Sequence, residues 1–316
     1  MADSLIKPTE NALAEGPCEP IRNSKLQWWR GWAPIIILPS MVVAGFPSTL
    51  PRWSFMWSLS FAIYAGCKWL TWRRTPAIGV PLWRHAGYLF AWPGMDAAAF
   101  LNSPSNTRFV DCTLQEWLFA LLKLAAGAIL FWGVARTIPH QYPYLVGWIG
   151  MISTVTMLHF GLFHLLSCGW RTIHVNARPL MNWPLTSQNI GEFWGLRWNT
   201  AFRDLTHRFL FQPLIPRLGA RGAVLAGFLA SGLVHDLVIS LPAGGGYGGP
   251  TLFFVVQGLA ILFSRTALAR RIGLRTGWLG WLFTLVVILL PVFLLFHRAF
   301  VCDVIVPFMK SAGAIQ

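Results

Sequence analysis

Long apolar segments alternate with shorter polar ones along most of the chain, and this pattern predicts a bundle of transmembrane helices. A helix needs roughly 17–25 mostly apolar residues to cross the hydrocarbon layer of a bilayer. We therefore expect an all-α, polytopic fold with about seven spans, within a range of about six to nine. The apolar segments are residues 32–46, 53–70, 117–135, 144–168, 223–241, 250–264 and 278–296.

Two further segments differ from this simple pattern. Residues 85–101 are apolar but are interrupted by Pro93-Gly94 and by Asp96, which predicts a re-entrant or interfacial segment. Residues 187–214 place large aromatic side chains at near-helical spacing, with cations on the other face. Such a segment is typical of an amphipathic helix that lies along the membrane surface, here on the cytoplasmic side.

The composition supports a membrane protein. The 316 residues are 55% hydrophobic and only 11% charged, with a mean hydropathy of +0.54. Soluble domains have a charged fraction of about 25%. Residues 1–27 are poor in apolar side chains and predict a loose tail, which leaves 28–310 as a single transmembrane domain. The five cysteines have no metal-ligand spacing and an odd total, so we expect structural roles and no disulfide framework.

The distribution of basic residues predicts the orientation. The net charge is +14, but the cations are scattered between apolar segments and form no continuous stripe, which argues against nucleic acid as a partner. Most Lys and Arg residues lie in alternate loops, including the long loop 169–222. Because cytoplasmic loops collect Lys and Arg, the pattern places the N-terminus in the cytoplasm and the glycine-rich turn 244–249 outside.

His235 and Asp236 lie inside the apolar segment 223–241. Ionisable groups in hydrocarbon are costly and usually functional, so His235 is a candidate general base. The alternative is a histidine that donates a hydrogen bond to a helix backbone. Asp236 points about 100° away around the helix and is predicted to pair with an arginine or to line an aqueous mouth.

The segment 187–214 supplies further candidates. Asn199 stands beside Trp194 and Trp198, and a buried amide needs partners that an apolar environment does not provide. Arg197 and Arg203 could contact lipid phosphates or the phosphates of a soluble donor.

Three polar residues lie in the third and fourth apolar segments. His159 and His164 are interpreted as packing residues or tunnel residues, and Lys123 is expected to have a polar partner or a cavity nearby.

Two motifs, EFWGLRWN from Glu192 to Asn199 and SGLVHD from Ser231 to Asp236, resemble the paired signature of the membrane-bound O-acyltransferases. The branch that they most resemble is that of the plant-type wax synthases. Further matches are YLFAWPGMD, which begins at Tyr88, and FVVQG, which contains Gln257, so the resemblance covers roughly residues 80–265. It implies that His235 is the catalytic histidine and Asn199 its paired asparagine. Relatives often have Glu where this chain has Asp236.

The resemblance implies an integral-membrane enzyme that moves a fatty acyl group from acyl-coenzyme A to the hydroxyl of a lipid-like alcohol. His235 would be the base and Asn199 would orient it or polarise the carbonyl. Trp194, Trp198, Arg197, Arg203, Asp236 and Gln257 are expected to bind substrates. Acyl-coenzyme A is a co-substrate, and no cofactor or metal is expected. The membrane would be a bacterial inner membrane or the endoplasmic reticulum.

Two alternatives remain open from the sequence. One is acetyl or short-chain transfer to a sterol, a metabolite or a glycan, which would use the same two residues. The other is a proton-coupled transporter in which His235 and Asp236 relay protons. The chain has no internal repeat, which disfavours the transporter.

Overall fold

The computed structural model describes residues 31–102, 111–139 and 141–316, and within them every regular element is a helix. The all-α prediction is confirmed for this part of the chain, and a helix forms on each of the predicted apolar segments. The predicted tail 1–27 lies outside the described residues. The helices are α1 (Ala33–Gly45), α2 (Arg52–Arg73), α3 (Leu82–Ala91), α4 (Ala97–Leu101), α5 (Leu114–Thr137), α6 (Pro143–Thr172), α7 (190–197), α8 (Thr200–Ala243), α9 (Gly249–Ser264), α10 (Ala267–Arg271), α11 (Gly277–Leu295) and α12 (298–311).

Four of the described helices are long and apolar enough to cross a membrane, namely α5, α6, α8 and α11. The helices α1 and α9 are apolar but shorter. Large apolar side chains such as Ile36, Leu122 and Leu290 are exposed on the outside of the bundle, where lipid rather than water suits them. The protein is therefore an integral membrane protein, while the full count of seven spans stays a prediction.

The long helix α8 is a hairpin of two arms. Gly219 has φ 64° and ψ 171°, a conformation that glycine adopts far more readily than other residues, and it reverses the chain. The rings of Phe202 and His235 lie 6.4 Å apart. In one straight helix these residues would be about 50 Å apart at 1.5 Å per residue. The arm that precedes Gly219 therefore runs back along the arm that carries His235.

The predicted amphipathic helix 187–214 does not form as one helix, and that prediction is wrong in its continuity. The helical segment α7 ends at Arg197, and α8 begins at Thr200. Between them Asn199 takes a left-handed conformation with φ 41°, which a short amide side chain tolerates better than most. The physical reason is local, because the Asn199 side chain accepts a hydrogen bond from Phe202 N and starts a new helix there.

Close helix contacts hold the second arm of α8 against α9. A Cβ atom at Gly232 would lie 2.6 Å from Thr251 Cα, so only glycine allows this approach. Small residues at helix contacts are the usual means of association in membranes, where apolar burial from water is absent. The contact places the start of α9 directly beside the helix turn that carries His235.

Residues 85–101 form two short helices, α3 and α4, joined by an extended stretch at 92–96. The break follows the sequence prediction, since Pro93-Gly94 cannot continue a helix easily. Asp96 accepts a hydrogen bond from Ala99 N and so begins α4. The stretch 92–96 is thereby fixed between two helix ends.

The expectation of no disulfide is wrong for one pair of cysteines. Cys112 and Cys168 form a disulfide with a Cα–Cα distance of 5.3 Å, across 56 residues of sequence. Spacing along the chain does not reveal such a pair, because the packing of α6 beside the start of α5 brings the two residues together. Cys67 and Cys302 are free thiols, and Cys18 lies outside the described residues.

Candidate active site

A cavity of about 1000 Å³ lies between α2, α6, α7, both arms of α8, α9 and α12. This volume is at the upper end of the range for small-molecule sites. Most of its wall is apolar and aromatic. Five of the predicted site residues line it, namely His235, Asn199, Trp194, Trp198 and Arg203.

The imidazole of His235 has one ring nitrogen fixed by its own helix. Nδ1 lies 2.7 Å from the carbonyl oxygen of Ser231, one turn earlier, and a carbonyl only accepts hydrogen bonds. The Nδ1 atom is therefore the protonated donor, and Nε2, which has no hydrogen-bond partner among the described residues, keeps a free lone pair. The ring packs against Phe254, with centroids 4.4 Å apart, and against Phe202. The backbone-donor alternative and the base hypothesis are thus compatible, because each uses a different ring nitrogen.

The two polar atoms of the Asn199 side chain also differ in their contacts: Oδ1 makes a structural hydrogen bond and Nδ2 does not. Its Oδ1 accepts from Phe202 N at 3.3 Å, and its backbone N–H contacts Met181 Sδ at 3.2 Å. Thr200 N donates to Leu180 O at 3.0 Å and ties the break between α7 and α8 to the preceding loop. Within the described residues the Asn199 Nδ2 amide makes no protein hydrogen bond and leaves two donors for a ligand.

Aromatic rings hold the two tryptophans of the wall. Trp194 packs edge-on against Phe228, with centroids 5.7 Å apart, and its Nε1 donates to Gln257 Oε1 at 3.4 Å. Trp198 stacks on Phe193 with centroids 5.5 Å apart. Their bulk shapes the part of the cavity beside Asn199.

Gln257 lies behind this wall. It is fully buried, its Nε2 donates to Val287 O at 2.9 Å, and it does not line the cavity. Gln257 therefore supports Trp194 from outside the cavity, and its predicted direct contact with substrate stays a prediction.

Arg197 also lies outside the lining of the cavity. Its guanidinium bonds Glu192 Oε1 at 2.6 Å and Thr186 Oγ1 at 2.8 Å, and it reaches the carbonyl of Asn182. These contacts join α7 to the loop before it, so Arg197 fixes the position of the turn that carries Asn199. Its predicted contact with substrate stays a prediction.

Asp236 has partners other than those expected from the sequence. Its carboxylate accepts from Ser240 Oγ and Gly248 N, each at 2.9 Å, and from both the backbone N–H and the hydroxyl of Thr251. No arginine of the described residues pairs with Asp236, so that prediction is wrong for this part of the chain, while the alternative of a position at an aqueous mouth stays a prediction. Asp236 instead joins the end of α8 to the glycine-rich turn and to the first turn of α9, which fixes the helix next to His235.

Three basic side chains line the cavity. They are Arg203 and His207 on the first arm of α8 and Arg265 just after α9. Arg203 is paired with Asp204 at 2.7 Å, while His207 and Arg265 are exposed. In the topology predicted from the loop charges, the end of the cavity at Ala223 and Arg265 faces the cytoplasm. An anionic reactant would be attracted to this end.

The stretch 91–95, which also lines the cavity, is held by buried polar side chains. Lys68 Nζ donates to Gly94 O at 2.8 Å and lies 3.2 Å from the centroid of the Tyr88 ring. Tyr64 donates to Trp92 O at 3.1 Å. Burial raises the pKa of the Tyr88 phenol, so this group stays protonated. The sequence motif that begins at Tyr88 thus forms a fixed wall.

A polar network joins α5 and α6 away from the cavity. Lys123 Nζ lies 2.6 Å from His164 Nδ1, which confirms the expectation of a polar partner for this lysine. Glu116 bonds His164 at 2.9 Å and Arg171 at 2.5 Å. Possible metal ligands do occur here, since Glu116 and the two disulfide sulfurs lie within 4.8 Å of one another. Their existing bonds occupy all three groups.

The comparison with a family model falls on the same part of the chain. The model of the membrane bound O-acyl transferase family matches residues 177–256, which include His235 and Asn199. A long-chain-alcohol O-fatty-acyltransferase of Simmondsia chinensis is 26% identical over 160 residues, which cover 44% of this chain and 43% of the relative.

The resemblance to the membrane-bound O-acyltransferases, in their wax-synthase-like branch, is confirmed. The matched region contains α7, the α8 hairpin and the first half of α9, which together form the wall around the two signature residues. The aligned part is less than half of the length of the Simmondsia chinensis relative.

Sequence reasoning did not find every residue of the site. Ser231, whose carbonyl fixes the proton on His235, lies one turn earlier in the same helix and could have been found from this spacing. Phe254 and Phe202, which pack on the His235 ring, come from α9 and from the first arm of α8. No local pattern identifies those contacts.

Proposed function

We propose that the protein is an integral-membrane O-acyltransferase that moves a fatty acyl group from acyl-coenzyme A to the hydroxyl of a lipid-like alcohol. The observation that carries this proposal is that His235 Nε2, with a free lone pair, and the free Asn199 amide belong to one apolar cavity. Both residues lie in the region that matches the O-acyltransferase family. An apolar cavity with a few convergent polar groups is the usual form of such a site.

In the proposed mechanism His235 is the general base. Its Nε2 takes the proton from the alcohol as the alcohol oxygen attacks the thioester carbonyl. The C–S bond then breaks, the acyl group remains on the alcohol as an ester, and the coenzyme A thiolate receives the proton from Nε2. The Ser231 carbonyl stabilises the transient imidazolium, because it accepts from the other ring nitrogen.

Asn199 supplies the second element of the mechanism. As the thioester carbonyl is attacked, negative charge develops on its oxygen, and the Nδ2 donors of Asn199 would stabilise that charge. Its Oδ1 remains bonded to Phe202 N, so the amide cannot rotate freely and its donors are preorganised. This role requires the left-handed turn between α7 and α8, which the capping contact of Asn199 and the contacts of Arg197 hold in place.

The charged and apolar parts of the cavity wall suit different parts of the two reactants. The basic side chains of His207 and Arg265 suit the phosphates of coenzyme A, and the apolar part of the wall suits an acyl chain and an apolar alcohol. Exclusion of water from the interior suppresses hydrolysis of the thioester. Arg203 is proposed to contribute to this attraction despite its pairing with Asp204.

The decisive experiment uses purified protein in lipid nanodiscs with one acyl-coenzyme A and one long-chain alcohol. The expected result is a neutral ester that appears together with free coenzyme A in equal amounts, as measured by mass spectrometry and thiol titration. Thiol release without ester would show hydrolysis only and would contradict the proposal. Solute flux into proteoliposomes without an acyl donor, with no ester under any condition, would favour the transporter.

A further inference from the structure

His159, interpreted from the sequence as a packing or tunnel residue, lines the cavity that contains His235. It lies on α6, in the π-helical turn Thr156–Leu162. The cavity face of α6 consists of residues three or four positions apart, so it forms a single stripe along the helix. The apolar members of this stripe are Met151, Val155, Leu158, Phe163 and Leu166.

The two ring nitrogens of His159 differ in their surroundings. Nδ1 is buried and has no hydrogen-bond partner among the described residues, and the ring meets Phe163 edge-on at a centroid distance of 5.1 Å. The residue as a whole is only half-buried and contacts the cavity. Its accessible part is therefore the other side of the ring, where Nε2 lies.

The absence of a partner at Nδ1 determines where the proton sits. A neutral imidazole carries one N–H, and a buried N–H without an acceptor costs more than a lone pair without a donor. The favourable tautomer consequently has a bare Nδ1 and a proton on Nε2. A charged ring is disfavoured, because it would bury a second N–H and an unpaired charge.

The two histidines of the cavity therefore have opposite tautomers. His235 donates through Nδ1 to the Ser231 carbonyl and presents a lone pair, whereas His159 presents an N–H. Thr154, a polar neighbour of His159 on the cavity face of α6, donates its hydroxyl proton to Gly150 O at 2.7 Å. His159 is thus the donor that this face of α6 offers to a ligand.

We infer that His159 is a substrate-binding residue whose Nε2–H donates a hydrogen bond to an oxygen atom of a lipid reactant. The oxygen is either the hydroxyl of the alcohol or the carbonyl of the acyl group, since both are acceptors. The inference rests on the proposed function, because it takes these two molecules as the ligands. It assigns His159 a role distinct from that of the base.

Three substitutions separate this role from packing. His159→Phe keeps an aromatic ring beside Phe163 but removes the donor. His159→Gln places an amide N–H near the position of Nε2, and His159→Asn places one near Nδ1. The matched control is His85→Phe, because His85 Nδ1 already accepts from Trp72 Nε1 at 2.9 Å and the residue does not line the cavity.

The first measurement is the Kd of a labelled long-chain alcohol in nanodiscs without acyl donor, so that no turnover is required. The second is the KM of acyl-coenzyme A at saturating alcohol. His159→Phe should weaken one of these by roughly 10- to 100-fold, the usual effect of leaving a buried polar partner unpaired. A change in the alcohol Kd identifies the hydroxyl as the ligand, and a change in the acyl-coenzyme A KM identifies the carbonyl.

Recovery by substitution provides the second criterion. His159→Gln should return the affected constant to within about threefold of wild type, a difference of less than 1 kcal/mol, and His159→Asn should not. Values within twofold of wild type for both constants in His159→Phe would overturn the inference, as would equal recovery by Gln and Asn. If His159→Phe fails to fold, the difference between His159→Gln and His159→Asn still shows whether a donor at the Nε2 position binds the ligand.

The two proposals fail in different ways. Absence of ester in the wild type, with both reactants present, contradicts the acyltransferase. The alcohol Kd is measured without a donor and still tests the His159 contact in that case.

Discussion

Two substitutions of Asn199, to alanine and to glycine, distinguish the catalytic role of its amide from its role in the left-handed turn. Asn199→Ala removes the contact to Phe202 N, which costs about 1 kcal/mol for a helix N-cap. It also places alanine at φ 41°, and the left-handed conformation costs roughly 1–2 kcal/mol for a residue with a Cβ. The alanine variant should therefore be destabilised by about 2–3 kcal/mol and lose activity for two mixed reasons.

Asn199→Gly is the informative variant. Glycine adopts the left-handed conformation without strain, and as an N-cap it costs only a few tenths of a kcal/mol relative to Asn. The fold should remain near wild type in stability while both Nδ2 donors are lost. Removal of an oxyanion donor typically lowers turnover by about 10²–10³-fold, and we expect that loss here.

The assay is initial-rate ester formation in nanodiscs, normalised to folded protein by a thermal-shift measurement on the same samples. The expected order of stability is wild type, then Gly close behind, then Ala well below. Turnover should be low in both variants. If Asn199→Gly keeps more than about a tenth of wild-type turnover, the amide does not stabilise the transition state and Asn199 serves only the turn.

Three further predictions follow from the same geometry. His235→Ala should lower ester formation by roughly 10²–10⁴-fold at near-normal abundance, and the double variant with Asn199→Gly should lose less than the product of the two single losses; a fully multiplicative loss would contradict a shared transition state. Gly232→Ala should lower the free energy of unfolding by about 1–3 kcal/mol, since its Cβ would lie 2.6 Å from the α9 backbone. The control Gly227→Ala, with no atom within 4 Å of its Cβ, should leave the stability unchanged. Equal effects of the two substitutions would refute the packing argument. Cysteine labelling at Gly246 and at the C-terminal end of α10 should report opposite faces of the membrane, with Gly246 outside, and labelling of both from one side would refute the predicted topology.

Hydrophobic patterning predicted the helices well because it is a local property. An apolar segment of sufficient length becomes a helix in lipid wherever its neighbours lie, since its backbone hydrogen bonds must be satisfied internally. The positions of α5, α6, α9 and α11 follow from this alone. The break at 92–96 was also predicted, because Pro93-Gly94 acts through the local backbone.

The amphipathic pattern of residues 187–214 predicted one continuous helix, and that prediction failed because the pattern is also a local property. Periodicity identifies which face of a helix is apolar, but it contains no information on a single left-handed residue. Asn199 breaks the helix through its own capping contact, and the turn is secured by Arg197 and the loop before it. The cysteine pair was missed because its two members lie 56 residues apart and meet only when α5 and α6 pack.

The sequence by itself determined that the chain is an integral membrane protein of helices and that His235 and Asn199 are the residues to test. Those conclusions depend on composition, on local periodicity and on motifs, which need no knowledge of the fold. Only the tertiary structure decided that α8 is a hairpin, that both residues share one cavity, and that the Nδ1 atoms of His235 and His159 differ in their hydrogen-bond partners. Each of these depends on which atoms surround a group after distant segments pack together, and a hydrogen-bond partner or its absence is a property of that packing.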